Sequence, residues 1–506
     1  MSAFFLNKKF LLFLALLPFF YMTYSFASLD FWNDEMYSLR YFTFVPLATT
    51  VTDYHVPNNH IFFNLLNQIF LRTAGISDLH RLMDDPFLIR LLPFIYSLGT
   101  LFYLWLTGKK FFNEFTAFLS VAILATTFPF FSYFLQMRGY GLSMFFLMVM
   151  IYHTWNLESN FSRKDFLLVV LAVCLSIYTI PLNLYFVFSI GVFYFIRVTI
   201  YCFNFFRRKH EHRRIIFFPG KNFKIIIALA IGSACSFLLY LPIYKQVFFN
   251  NYVKSHGWFK EGFSLPGIVF NAFLSGRYLL PALFLAGIFF YFIKKDKHGS
   301  FFFRGFIFLI CVLLVPFIIS FVRGDQAPDR TFVILAPVFS LCFAAGIDFF
   351  LRSVFKAGNK KNVLLLILVA YCNLTFIFYY SKVRNHVRND IEISNRSQDI
   401  KYNYYLAYFH PKKLVESFRK IYTAHPAALI IRESDYHGMR EYLDKYEIKY
   451  EPENAFDSLV SHENTFYVLT TKPNSFKKWM KENHPDIKFH HLNSFVDFHN
   501  FFYCTH

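Results

Sequence analysis

Residues 8–40 read KKFLLFLALLPFFYMTYSFASLDFWNDEMYSLR, and the junction inside that stretch decides the class of the molecule. Two lysines precede an apolar run, Phe10–Ser28, that ends directly on a segment carrying Asp30, Asp34 and Glu35. A run of this length matches a hydrocarbon core roughly 30 Å thick. Lipid offers no partner to backbone N–H and C=O groups, so the run must pair them internally as a helix. It is long and aromatic and lacks a small-x-small cleavage pattern, so it reads as a retained first span rather than a signal peptide.

Working outward, the pattern repeats. Ten further apolar runs, near 91–107, 115–135, 140–157, 166–181, 183–202, 224–243, 278–293, 305–322, 331–350 and 362–380, bring the expected crossings to about eleven. Composition agrees: hydrophobic residues are 56% of the 506, charged residues 16%, and 74 positions are Phe. A soluble domain carries about a quarter charged residues, so a soluble enzyme is excluded. The net charge of +19 does not indicate nucleic acid, because many of the basic residues sit in short connections between apolar runs. The seven cysteines show no CxxC pair and no zinc spacing.

Lys and Arg alternate by side. Lys8/Lys9, Lys109/Lys110, Arg163/Lys164, the Arg207–Lys224 cluster, Lys294–Arg304 and Arg352–Lys361 share one face, which the positive-inside rule makes cytoplasmic. The first outer loop, about 29–90, carries seven acids against four arginines. Eleven spans then put the C-terminal segment, 382–506, outside with that loop, beyond a membrane module at 1–381. In the tail the apolar runs shrink to strand length at Ala427–Ile431, Thr465–Thr470 and Ile487–His490. Helical candidates lie between them at Ser434–Tyr446, with Ser434 as N-cap, and at Ser475–Asn483 after a break at Pro473-Asn474. Alternating strands and helices predict a small α/β domain. The expected fold class is thus an α-helical polytopic membrane protein with a small C-terminal α/β extracytoplasmic domain.

The outer face gathers the chemistry. Asp34 and Glu35 stand beside the membrane, where ionisable groups are costly unless paired or functional, with Trp32 and Tyr37 around them and Asp53, His55, Asn58, Asn59 and His60 downstream. A carboxylate or imidazole here can serve as general base toward a hydroxyl. Asp34 and Glu35 are adjacent, so on a helix they diverge by about 100° and do not face each other. His55 and His60 with an acid leave a divalent metal open, although the spacing is not a zinc signature. Arginines come to the same face in Gln136-Met137-Arg138-Gly139-Tyr140, at Arg277, and at Arg323 and Arg330. A guanidinium binds phosphate with two parallel hydrogen bonds and stabilises charge on a departing phosphate.

The order of these features resembles the GT-C membrane glycosyltransferases, in particular the family 39-like group of protein O-mannosyltransferases and the lipid A aminoarabinose transferase. The features are an Asp-Glu pair after the first span, Pro57-Asn58-Asn59-His60 entering an apolar helix, an Arg138-Gly139-Tyr140 turn, an Arg before a late span and an outward tail domain. Many relatives carry His-Pro-Pro or His-Pro where this chain has Asn58-Asn59-His60-Ile61. The resemblance implies a polyprenyl-phosphate-linked sugar as donor and inverting transfer to a hydroxyl of a lipid, glycan or protein. It implies Asp34 as base with Glu35 as neighbour or alternate, Arg138 and Arg330 toward the donor phosphate, and Tyr37, His55, Asn59 and His60 lining the site. The bacterial inner membrane is the expected address. A transporter or lipid flippase is the rival class, but such proteins place ionisable residues near mid-membrane and show repeat symmetry, and neither feature is visible here.

Overall fold

The computed structural model describes residues 8–209, 220–249, 265–274, 276–294, 299–322, 329–355, 360–389, 410–432, 437–493 and 499–506. Each expected span falls on helix. The helices are Lys8–Ala27, Pro86–Phe111, Glu114–Leu124, Tyr140–Ser159, Arg163–Thr179, Leu184–Lys209, Lys221–Tyr240, Leu279–Lys294, Gly299–Val322, Ala336–Val354 and Lys360–Asn389. Among the described residues seven helical stretches are long and apolar enough to cross a membrane, and Glu114–Leu124 and Leu279–Phe290 are shorter apolar helices. The Arg163–Thr179 helix falls outside both groups, and so does the Tyr140–Ser159 helix. The latter is buried along most of its length, so neighbouring helices rather than lipid solvate its polar residues.

The run at 115–135 is not one span. It breaks into Glu114–Leu124 and Phe128–Tyr133, the first only about 16 Å long at 1.5 Å per residue. Thr126 and Thr127 turn their hydroxyls back onto the Ala122 and Ile123 carbonyls, and Pro129 sits in the first turn of the second piece. Arg277 satisfies the buried broken end. Its guanidinium donates to the Ile123 carbonyl and to the Thr126 and Thr127 hydroxyls at 2.6–3.2 Å, and to the Phe273 and Leu274 carbonyls at 3.0 Å. Arg277, read from sequence among the outer-face arginines, is therefore a clamp inside the protein. A broken helix at membrane depth is tolerated when protein groups re-satisfy the freed backbone.

The Leu279–Lys294 and Ala336–Val354 helices pack through glycine. A Cβ on Gly287 would stand 2.1 Å from the Gly346 carbonyl oxygen, so only two small residues allow this approach.

The last spanning helix runs on past 381 to Asn389, and the tail domain is described from residue 410. Its strands β1 (Ala428–Arg432), β2 (Glu451–Pro452), β3 (Thr465–Thr470), β4 (Lys488–His491) and β5 (Asn500–Thr505) form one sheet in the order β2-β1-β3-β5-β4. β1 runs parallel to β2 and β3, whereas β5 is antiparallel to β3 and β4. Side chains alternate across a strand, and the two faces do different work. Ile430, Phe466, Val468 and Phe502 close over Phe476 and Met480 in a core private to the domain. Leu429, Ile431, Tyr467, Leu469 and Phe501 join Phe418, Met439 and Tyr442 in a core continuous with the membrane module. Sequence reading missed β2, β5 and the Pro411–Ala424 and Phe456–His462 helices. Pro473 opens the Pro473–Asn483 helix rather than preceding it, since its fixed φ suits a first helical residue. The expected cap Ser434 lies outside the described residues.

Candidate active site

The Asp-Glu pair occupies a six-residue helix, Asn33–Ser38, that continues into a π turn at Leu39–Thr43. So short a helix is not stable alone, and the neighbouring acids divide the labour. Glu35 is 1% exposed. Its carboxylate accepts the Trp32 N–H at 2.9 Å, closing the first turn, and the Met137 N–H at 2.7 Å, tying the helix to the turn after Phe128–Tyr133. Arg90, also buried, stands 3.5 Å from it. The guanidinium of Arg90 also donates to the Phe26 and Asp30 carbonyls and lies over the Phe31 ring. Both oxygens of Glu35 are thus engaged with the scaffold.

Asp34 points elsewhere. Its side chain is 30% exposed, and its Oδ2 lies 2.6 Å from Arg138 Nη1 and 3.6 Å from Arg330 Nη1. Burial works against its charge, but the Arg138 and Arg330 guanidiniums outweigh that and hold the carboxyl below the usual carboxylate range. Arg138 is buried and faces the Tyr140 ring. Arg330 is partly exposed and comes from the Asp329–Leu335 turn. Residues 34, 138 and 330, far apart in the chain, meet at one carboxylate. Arg323 lies outside the described residues.

His60 immediately precedes the Ile61–Thr73 helix and is buried. Its Nδ1 accepts the Gly139 N–H at 2.7 Å, and its ring stands edge-on to Tyr140 at 5.2 Å. Burial first, then Arg138 and Arg330, push its pKa well below the ordinary histidine value, so the ring is neutral. Gly139 is required by this closeness: a Cβ there would meet Thr179 at 2.6 Å and His60 at 3.1 Å. Asn59, expected to line the site, is turned inward. It donates to the Thr50 and Asp53 carbonyls at 2.9 and 2.7 Å and accepts from Asn64, so it braces the loop.

Tyr37 and His55 form a separate chain at the rim. The Tyr37 hydroxyl is 2.7 Å from His55 Nε2, and His55 Nδ1 is 2.6 Å from Asp53. His55 and His60 therefore have different partners, and among the described residues no three His, Cys, Asp or Glu side chains gather around one point. Arg90 was missed in sequence, although an arginine at the mouth of an apolar run is itself a signal.

Many helices, a carboxylate paired with arginines at one end and a small α/β domain docked beside it define a polytopic membrane protein with one candidate site on the face that carries the tail domain. Comparison with known proteins bears out the resemblance read from sequence. Residues 76–209 match the family model of dolichyl-phosphate-mannose-protein mannosyltransferase. The chain has the fold of ArnT from Cupriavidus metallidurans, solved in the apo state and bound to undecaprenyl phosphate, with a TM-score of 0.56 and 10% identity over 98% of each chain. The Archaeoglobus fulgidus oligosaccharyltransferase, tethered to an acceptor peptide, aligns over 93% of this chain and 70% of its own, with a TM-score of 0.47 and 12% identity. No curated protein matches the chain.

Proposed function

We propose that this protein is an integral-membrane glycosyltransferase that moves a monosaccharide from a polyprenyl-phosphate donor to an acceptor hydroxyl, with inversion. One observation carries the reading: in a chain of GT-C fold, the partly exposed carboxylate of Asp34 is flanked by two arginines 2.6 and 3.6 Å away. The donor class is supported by the undecaprenyl phosphate bound to ArnT. The acceptor hydroxyl attacks C1 of the sugar on the face opposite the phosphate. Its proton passes to Asp34 Oδ, the new C1–O bond forms, and the C1–O bond to phosphate breaks with its electron pair leaving on polyprenyl phosphate.

Arg138 and Arg330 receive that charge. They are paired with Asp34 before the donor arrives, so a phosphate drawing on the same guanidiniums frees the carboxylate as it binds. The buried, neutral His60 holds the Arg138–Tyr140 turn through Gly139, and Glu35 holds the helix that carries Asp34. The basic loops support a cytoplasmic N-terminus with the active face outside, and the address proposed with that orientation is a bacterial inner membrane.

The test is mass spectrometry of lipids and glycans from cells with the protein, without it, and with Asp34→Asn. A sugar adduct that vanishes in both the deletion and the variant is the expected result. Transfer that survives Asp34→Asn overturns the base assignment. Lipid movement across liposomes with no glycosyl product overturns the enzyme reading in favour of a flippase.

A further inference from the structure

We propose that the C-terminal domain positions the helix that carries Asp34, acting on transfer through that helix rather than by touching the donor. The inference rests on the reading of Asp34 as base and assigns the tail domain a place in it. Four residues that bracket Asp34 are held from the domain. The Phe31 N–H donates to the Tyr442 hydroxyl at 3.1 Å, and Asn33 Oδ1 accepts the Gly438 N–H at 3.2 Å. Asp30 Oδ2 accepts the Lys412 N–H at 2.9 Å, and Arg40 pairs with Glu441 at 3.3 Å.

Three of these contacts come from one helix, His437–Lys445, which lies directly on Asn33–Ser38. The approach is close. A Cβ on Gly438 would touch the Asn33 Cα at 3.4 Å and the Met36 Cβ at 3.7 Å. Beside this seam Asp84 accepts both Lys412 at 3.0 Å and Lys445 at 2.5 Å, and Lys445 also donates to the His80 carbonyl at 2.8 Å. The clasp ties both ends of the outer loop to the same two lysine-bearing helices.

The physical need is clear from length. A six-residue helix has too few internal hydrogen bonds to offset its ordering entropy. The membrane module fixes it at Glu35, and the tail domain fixes the turn before it. Asp34 lies between the two anchors. If the domain's grip is loosened, the carboxylate is still present, but it is held in the productive geometry for less of the time. Tyr442 is fully buried, so its hydroxyl is a specific acceptor for a buried N–H rather than a solvated group.

The test uses the full chain in nanodiscs. Two variants separate the seam from the integrity of the domain: Tyr442→Phe removes the acceptor from the domain, and Asn33→Ala removes one from the membrane module while leaving the domain intact. Hydrogen exchange of the peptide spanning 30–40 should quicken about fivefold or more in each. Turnover in native membranes should fall about tenfold, with affinity for undecaprenyl phosphate alone unchanged within twofold. Exchange that matches the parent in both variants overturns the proposal, as does a loss of undecaprenyl phosphate affinity that equals the loss of turnover. Asp34→Asn keeps the two readings apart. Retained transfer in that variant defeats the base assignment, while the exchange data still decide whether the domain holds the helix.

Discussion

The adjacent acids should give opposite phenotypes, and the structure supplies the magnitudes. In Glu35→Gln the carboxamide keeps one accepting oxygen, so either the Trp32 or the Met137 N–H faces an NH2 group. Arg90, 4% exposed, loses the charge it is buried against. Removing one partner of a buried pair costs about 3–5 kcal/mol. In Asp34→Asn the buried Arg138 also loses its charged partner, but the carboxylate is 30% exposed and Arg330 23% exposed, so solvent screens part of the loss and the cost is smaller, about 1–3 kcal/mol. Transfer, however, loses its proton acceptor, an effect of about 10²–10⁴ in rate, or roughly 3–5 kcal/mol on the barrier. Turnover per folded molecule, with the folded fraction read by gel filtration after heating, separates the two. Glu35→Gln should lose heat resistance and yield little folded protein, whereas Asp34→Asn should stay folded and inactive. A heat-stable Glu35→Gln that is catalytically dead, beside an active Asp34→Asn, would refute the assignment.

Other expectations follow from the same geometry. Asp34 is held charged below the usual carboxylate range by Arg138 and Arg330 against the effect of burial, so its basic form persists as pH falls. Arg138→Leu should move the acid limb of the turnover profile to higher pH, and an unmoved limb would mean another group is the base. His60 is neutral in the fold because burial lowers its pKa. The unfolded chain therefore binds the extra proton, and stability should fall as pH drops below the ordinary histidine value. His60→Gln should flatten that fall in pH-dependent melting. Gly139→Ala should cost about 1–3 kcal/mol, because the new methyl must displace Thr179 and His60, and a wild-type melting profile would contradict this packing. Arg277→Leu leaves the Ile123 carbonyl and two hydroxyls without their cation, and should cost several kcal/mol in the same assay.

What was legible in the chain was legible because its cause is local. A span is a property of about 20 consecutive side chains and the thickness of lipid, so ten of the eleven runs and the outer loop could be read directly. So could β3, whose apolar residues sit in one short stretch. The 115–135 run misled for a tertiary reason: its break is stabilised by Arg277, 150 residues away, which nothing within the run discloses. β5 takes its place between β3 and β4, a pairing that its own six residues do not disclose.

The sequence by itself determined a many-span membrane protein with acids next to the bilayer, arginines in the outer turns and a tail of different character. Hydrophobic length and charge position are written residue by residue. Only the tertiary structure decided which carboxylate is partly open and which is bound on both oxygens. It alone turned Asn59 and Arg277 inward and brought Tyr442 to the Phe31 amide across 411 positions. Burial and hydrogen-bond partnership depend on what packs beside a residue, and packing exists only once the chain has closed on itself.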